Sequence, residues 1–432
     1  MVTPELTIQV DTLWTAFMRA GVSPLDTLDQ ITHVLADRSH PAVLPATPEL
    51  RAMLIELLDS VPMSNSTVQT EVYDLLVGKL ATSAQSAQSG QNGPALTPSH
   101  IIKLMVALVA PAPDDTIIDP TVGTGSMLAA AAEYVRARQL GFSTDAHARD
   151  DSSGTPFTGI ASNAPLNRIA TTNLRLHGVG NFAVSNGDSL GEDSGGGNTG
   201  HGTFSLVLTN SPFAGSRDSV AAAKDLLTVV KTKKTELLFL VHSLRLLKDG
   251  GRAAVILPDS ALFGTSKAHT DVRRLLVDDH KLDAVVRLPP GVFKPHSALS
   301  TSILLFHKAK TTDTVWFYDV RADGFSLDDN RVQNEADDLP DVLERWLSLR
   351  NTAGTQSAVN ETARPRTAQS FFVPRSEIAE QGYDLTFNRY RIVLGERVVH
   401  RSANDILVDI ARLELRIQQG SSALARALAE TL

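Results

Sequence analysis

The chain has 432 residues, a formal net charge of −8 and no cysteine. These exclude disulfides and thiolate metal sites, fit a reducing cytoplasm, and leave no basic surplus with which the chain could grip DNA alone. Apolar residues make up 42%, which at this length allows a substantial core, yet no apolar run is long or pure enough to span a membrane.

Residues 1–80 read as a helical domain. Met1 to Ala20 carries acidic and polar residues throughout, unlike a secretory signal. Leu25 to Ala36, Pro48 to Leu58 and Thr67 to Leu80 each place apolar side chains at three- and four-residue steps. Residues 81–95 are mostly small and polar and read as a flexible linker. From Leu96 to about His307 strands alternate with helices, which predicts an α/β fold with a doubly wound, mostly parallel sheet covered on both faces. Within it, Glu236 to Lys248 reads as a helix closed by Gly250-Gly251 that feeds a strand over Arg252 to Leu257. The glycine-rich stretch Gly191 to Gly202 is expected to be a mobile loop before the apolar strand Phe204 to Asn210.

Thr116 to Leu128 reads as a buried strand, a glycine-containing turn and a helix opening at Ser126. Gly123 and Gly125 would let a small ligand approach the backbone at the carboxyl end of a parallel strand. The missing third glycine and the preceding Asp119-Pro120 argue against a dinucleotide fingerprint, and no GxxxxGK[ST] is present to cradle phosphates. S-adenosylmethionine, which has no pyrophosphate to anchor, fits better. His242, His269 and His296 have no second ligand at metal spacing, so no metal is expected.

The strand ending at Asn210 runs into Ser211-Pro212-Phe213, one residue away from the Asn-Pro-Pro-Phe signature of enzymes that methylate exocyclic amino groups. An adenine amine is a poor nucleophile because its lone pair is delocalised into the ring. Two acceptors aimed at its hydrogens, the Asn210 side-chain oxygen and the Ser211 carbonyl, would draw that lone pair towards an electrophile. Pro212 would shape the loop, and Phe213 would stack on the extruded base.

Several segments, in order, resemble the methylation subunit of type I restriction–modification systems, the N-6 adenine DNA methylase family. They are Leu96-Thr97-Pro98 with the helix Ser99 to Val109, Asp119 to Gly125, Asn173 to Gly178, Asn186-Gly187-Asp188-Ser189-Leu190, Leu288 to Phe293, Thr301 to Phe306, Trp316 to Val320 and Gly382 to Tyr390. The resemblance implies a class I S-adenosylmethionine-dependent methyltransferase fold over residues 96–310, followed by a C-terminal extension over 311–400. It implies methyl transfer to a flipped adenine in DNA. Cofactor contacts would come from Leu96, Thr97, Pro98, Asp119, Gly123, Thr124, Gly125 and Asp188. His177 reads as a C-terminal helix residue favourable to the helix dipole.

Two departures from the family pattern stand out. Ala161, at the end of the strand Phe157 to Ala161, occupies the position where the family has an acid for the cofactor's ribose. Losing a hydrogen bond to a carboxylate costs about 1.5–3 kcal/mol, or roughly ten- to a hundredfold in affinity. Asn163 or an acid from the Asp145 to Asp151 loop could compensate. Ser211 stands where the family has proline, which reduces loop rigidity. A catalytically impaired methylase-like scaffold in a DNA-defence complex is therefore the alternative reading, and a methyltransferase acting on a glutamine side chain is a further one.

Residues 401–432 carry Ile406, Ile410, Leu413, Ile417 and Leu424 at alternating four- and three-residue steps, with a seven-residue gap across Gly420. This amphipathic helical tail suits a helical partner or packing on its own domain. The resemblance favours a partner, a DNA-specificity subunit, with a restriction (endonuclease) subunit as a further candidate.

Overall fold

The computed structural model describes residues 3–36, 47–61, 66–82, 96–140, 156–191, 201–213, 222–295, 297–309, 312–351, 360–393, 407, 411–414 and 416–421. The linker residues 83–95, the Asp145 to Asp151 loop and residues 192–200 of the glycine-rich loop lie outside them. By its contacts the chain forms two units, residues 1–391 and 392–432.

The first unit opens with four helices: α1 (Pro4–Arg19), α2 (Pro24–Ala36), α3 (Pro48–Ser60) and α4 (Ser66–Thr82). Thr3 caps α1 by accepting from the Leu6 amide, with Pro4 in the first turn. Their apolar stripes, including Phe17, Leu28, Leu54 and Tyr73, close into one core with Ile169 and Leu176. Those two belong to α7 (Ala164–Leu176), a helix of the α/β layer. The helical layer is thus packed directly on the fold that follows, and Asp29 of α2 forms an ion pair with Arg168 of α7.

Between them come α5 (Ser99–Val109), β1 (Ile117–Asp119), α6 (Ser126–Leu140) and β2 (Phe157–Ala161). After α7 follow β3 (Phe182–Asn186), β4 (Phe204–Asn210), α8 (Lys224–Val229), α9 (Thr235–Leu246) and β5 (Leu247–Pro258). Next are α10 (Ser260–Phe263), α11 (Lys267–Arg274), β6 (Lys281–Arg287), β7 (Thr301–His307), β8 (Thr314–Asp319), β9 (Asp323–Phe325) and β10 (Gln333–Asp337). The unit ends with α12 (Leu339–Asn351), β11 (Ser370–Pro374), α13 (Arg375–Glu380) and α14 (Phe387–Tyr390).

Among the described residues one sheet has the order β11-β8-β6-β7-β5-β4-β1-β2-β3, and β9 and β10 form a separate hairpin. Strands β1 to β5 pair parallel with one another, as do β6 and β8, whereas β7 lies antiparallel between β5 and β6. The sheet continues beyond residue 310, because β8 and the antiparallel β11 extend it. Alternate residues explain why the central strands are apolar throughout. Leu206 and Leu208 of β4 join the core beneath α5, α6 and α12, whereas Val207 joins the core beneath α9.

The structure differs from the sequence reading around Gly250. Helix α9 ends at Leu246, and the strand begins at Leu247 rather than Arg252. The pair Gly250-Gly251 lies inside the ladder because the Gly250 amide donates to the Lys308 carbonyl and the Lys308 amide donates to Gly251. Only the antiparallel neighbour β7 makes that pairing available. In the second unit residues 411–414 and 416–421 are helical, with Leu413 and Ile417 exposed. Ile406, Ile410 and Leu424 of the expected seam lie outside the described residues. No helix among the described residues is long and apolar enough to cross a membrane.

Candidate active site

The carboxyl ends of β1, β3 and β4 bring most of the candidate residues together. At the end of β4 the Asn210 side chain donates through Nδ2 to Thr97 Oγ1 at 2.9 Å. Its Oδ1 is buried and has no hydrogen-bond partner among the described residues. Leaving an amide oxygen buried and unpaired costs about 1–3 kcal/mol. The Asn210 main chain is held as well, since the Thr121 hydroxyl lies 3.0 Å from its carbonyl.

Ser211 is fully buried. Its amide and its hydroxyl both donate to the Ile256 carbonyl, at 3.2 and 2.8 Å. Proline could make neither bond. The expected loss of rigidity at this departure is therefore offset by two bonds to β5. Pro212 and Phe213 are half-buried, and Phe213 meets Phe293 edge to face at a centroid distance of 4.7 Å.

The glycine turn lies behind β1. Gly123 and Gly125 both have positive φ, +52° and +81°, but their surroundings differ. A Cβ on Gly125 would lie 3.1 Å from the Ala170 Cα of α7. A Cβ on Gly123 would meet only the Thr121 carbonyl, at 3.8 Å. Gly125 therefore serves helix packing, and only Gly123 leaves the room for a ligand that was expected of both. From behind, the Thr124 carbonyl accepts from Tyr73 Oη of α4 at 3.0 Å and from Asn173 Nδ2 of α7 at 2.9 Å. The Thr124 hydroxyl lies 2.9 Å from that of Ser126.

Asp119 is buried and accepts from the Thr121 amide at 2.9 Å. Burial pushes its carboxyl up to about 6, against the hydrogen bonds of Thr121 and Thr209. Its visible task is to shape the turn. Asp188 is exposed beyond β3, with its carboxylate 3.1 Å from the Leu190 amide. The next residue, Ser189, donates to the Pro120 carbonyl and so ties this segment to the glycine turn. Leu96 packs on the N-terminal helical core, and Pro98 is the N-cap of α5. Ala161 is buried, and the Asn163 oxygen caps α7 by accepting from the Leu166 amide at 2.9 Å. That oxygen serves as the cap of α7. His177 forms the C-cap of α7.

Sequence reading missed four supports: Thr121, Tyr73, Asn173 as a clamp on Thr124, and Phe293 as the partner of Phe213. For Thr121 a hydroxyl within the turn was a usable signal. Tyr73 reads as an ordinary member of an apolar stripe.

A sequence model described as N-6 DNA Methylase matches residues 65–397. The methylase subunit of the type I restriction enzyme EcoEI from Escherichia coli is 30% identical over 271 residues, covering 62% of this chain and 53% of that protein. The chain spans about half the length of the curated relatives heading that comparison. Among solved structures, a chain from work on the assembly and conformational transition of a type I R-M system superposes with a TM-score of 0.66 at 23% identity. That match covers 91% of this chain and 78% of the other. A putative class I S-adenosylmethionine-dependent methyltransferase from Listeria monocytogenes gives 0.56 at 17% identity, covering 80% and 99%. These likenesses show the class I methyltransferase fold that the strand order describes. The family match includes the glycine turn, the strand ending at Asn210 and the segment that carries Phe293, and the chain belongs to the N-6 DNA methylase family.

Proposed function

We propose that the chain is a site-specific DNA adenine N6-methyltransferase, the methylation subunit of a type I restriction–modification complex. The observation that carries this reading is the buried, unpartnered Oδ1 of Asn210, held at the carboxyl end of β4. Among the described residues it is an acceptor without a donor, on a side chain whose other end is held by Thr97.

The open space beside Gly123, next to a turn clamped from behind, fits a nucleoside cofactor. Gly123, Thr124 and Asp188 would hold S-adenosylmethionine, with Asp119 shaping the turn and Gly125 closing it against Ala170. When bound, that cofactor supplies an electrophilic methyl group. The chain's own residues supply orientation. Asn210 Oδ1 and the Ser211 carbonyl accept from the two amine hydrogens and direct the nitrogen lone pair outward, while Pro212 shapes the loop. Phe213, braced by Phe293, offers its face to the flipped base. Orientation of this kind can account for a large part of a rate enhancement without a covalent intermediate.

The relatives are named as type I methylase subunits. We therefore assign DNA, a specificity subunit and a restriction subunit as partners, with the C-terminal helix as the specificity-subunit contact. The test is single-molecule sequencing of host DNA from wild type, a deletion of the gene, and the deletion complemented with Asn210→Ala. N6-methyladenine at a split recognition sequence should vanish on deletion and stay absent with the variant. Modification that persists in the deletion strain refutes the reading.

A further inference from the structure

We propose that Thr97 is a positioning residue that holds the Asn210 side-chain amide in place, with Oδ1 left for the substrate amine. The proposal rests on the methyltransferase reading above and assigns Thr97 a role directed at the substrate.

The two polar ends of Asn210 are treated differently. Nδ2 is bonded to Thr97 Oγ1 at 2.9 Å, and Oδ1 is buried without a partner among the described residues. Turning the amide over would place an N–H donor where the amine presents N–H donors of its own, and no hydrogen bond could form. The orientation in which Thr97 accepts is thus the one that leaves an acceptor for the amine.

Thr97 is suited to this because its own position is fixed. It precedes α5, a helix with seven buried apolar residues. One residue into α5, His100 stacks on Phe325 of β9 at 4.7 Å. His100 Nε2 lies 2.9 Å from the buried carboxylate of Asp323, which also pairs with Arg331. The start of α5 is thereby anchored to the β9–β10 hairpin, and Thr97 reaches Asn210 across 113 residues of sequence. Thr121 holds the Asn210 carbonyl from the other side. Backbone and side chain are both restrained, and among the described residues Oδ1 is left without a partner.

The test uses Thr97→Val, which keeps the shape and loses the hydroxyl, and Thr97→Ser, which restores it, in the full chain with its partner subunits. At saturating S-adenosylmethionine, Thr97→Val should slow single-turnover methyl transfer by about tenfold, the loss of roughly one hydrogen bond. The rate is read at saturation so that a cofactor contact of Thr97 does not enter it, and Thr97→Ser should recover the rate. A second readout needs no activity. In protein labelled with 15N at asparagine, the side-chain signals of Asn210 are identified by their loss in Asn210→Ala. Their hydrogen exchange should be slow in wild type and Thr97→Ser, and fast in Thr97→Val. Unchanged exchange in Thr97→Val overturns the proposal. So does weaker cofactor binding with an unchanged rate at saturation, which would make Thr97 a cofactor residue. Wild-type protein that transfers no methyl group, yet shows exchange protection dependent on Thr97, supports the pairing and refutes the methyl-transfer reading instead.

Discussion

Asn210 and His242 both carry buried polar atoms without partners among the described residues, yet they are opposite kinds of feature. Asn210 sits at the carboxyl end of β4, its main chain held by Thr121, its Nδ2 held by Thr97, and one oxygen left over. His242 sits inside α9 among apolar neighbours, and neither ring nitrogen has a partner. Gly123 and Gly125 repeat the contrast two residues apart, one with open space at Cβ and one pressed on Ala170. On the proposed reading, an unpaired group or a missing Cβ at the carboxyl ends of the parallel strands is kept for a ligand. Where it borders the core it signifies packing or a plain energetic cost.

The largest test of that distinction is Asn210→Ala. It should reduce methyl transfer by at least about a hundredfold, the scale of removing an oriented polar group from an active site. Cofactor affinity, read by calorimetry, should be nearly unchanged. Full activity in the variant would erase the difference from His242.

The glycine pair comes next. Gly125→Ala combines a left-handed φ with a contact at 3.1 Å, and should cost about 2–4 kcal/mol of unfolding free energy. Gly123→Ala has the strain without the contact and should cost only about 1 kcal/mol. Its main effect should appear as weaker S-adenosylmethionine binding. Equal loss of stability in the two variants, by denaturant titration, would mean that the cleft and core sides are not distinct.

The smallest expected effect is at His242. Burial pushes its imidazole down to about 3, with Arg245 and His201 acting in the same direction and Asp225 opposing them. Because the folded state disfavours the proton, this residue's contribution is intact above the unfolded pKa near 6.5. It is lost progressively as pH falls from there towards 3. His242→Leu removes that dependence. The variant should gain about 1 kcal/mol at pH 8, from relief of two unpaired nitrogens. The gain over wild type should grow by about 2 kcal/mol at pH 5. A gain independent of pH would show that His242 is not held neutral by the fold.

Much of the fold was legible because the signals are local. Alternating apolar runs and helical stripes identified the main strands of the parallel half, and Gly-x-Gly marked the turn after β1. The boundary at Gly250 was misjudged because a Gly-Gly pair reads as a terminator until β7 pairs with it. Asn210 to Phe213 was legible for the same local reason, since four adjacent residues carry that chemistry. Its supports were not, because Thr97, Thr121 and Phe293 come from distant parts of the chain.

The sequence by itself determined which groups could act: an amide, a proline, an aromatic ring and two glycines next to strands whose apolar pattern demands burial. The tertiary structure alone decided how each is used. Gly125 faces Ala170 while Gly123 faces open space, Ser211 gains two bonds to Ile256, and Thr97 takes one end of Asn210. Periodicity is a property of neighbouring residues and survives in one dimension. The pairing of a donor with an acceptor depends on strand register and helix packing, which exist only after the chain has folded.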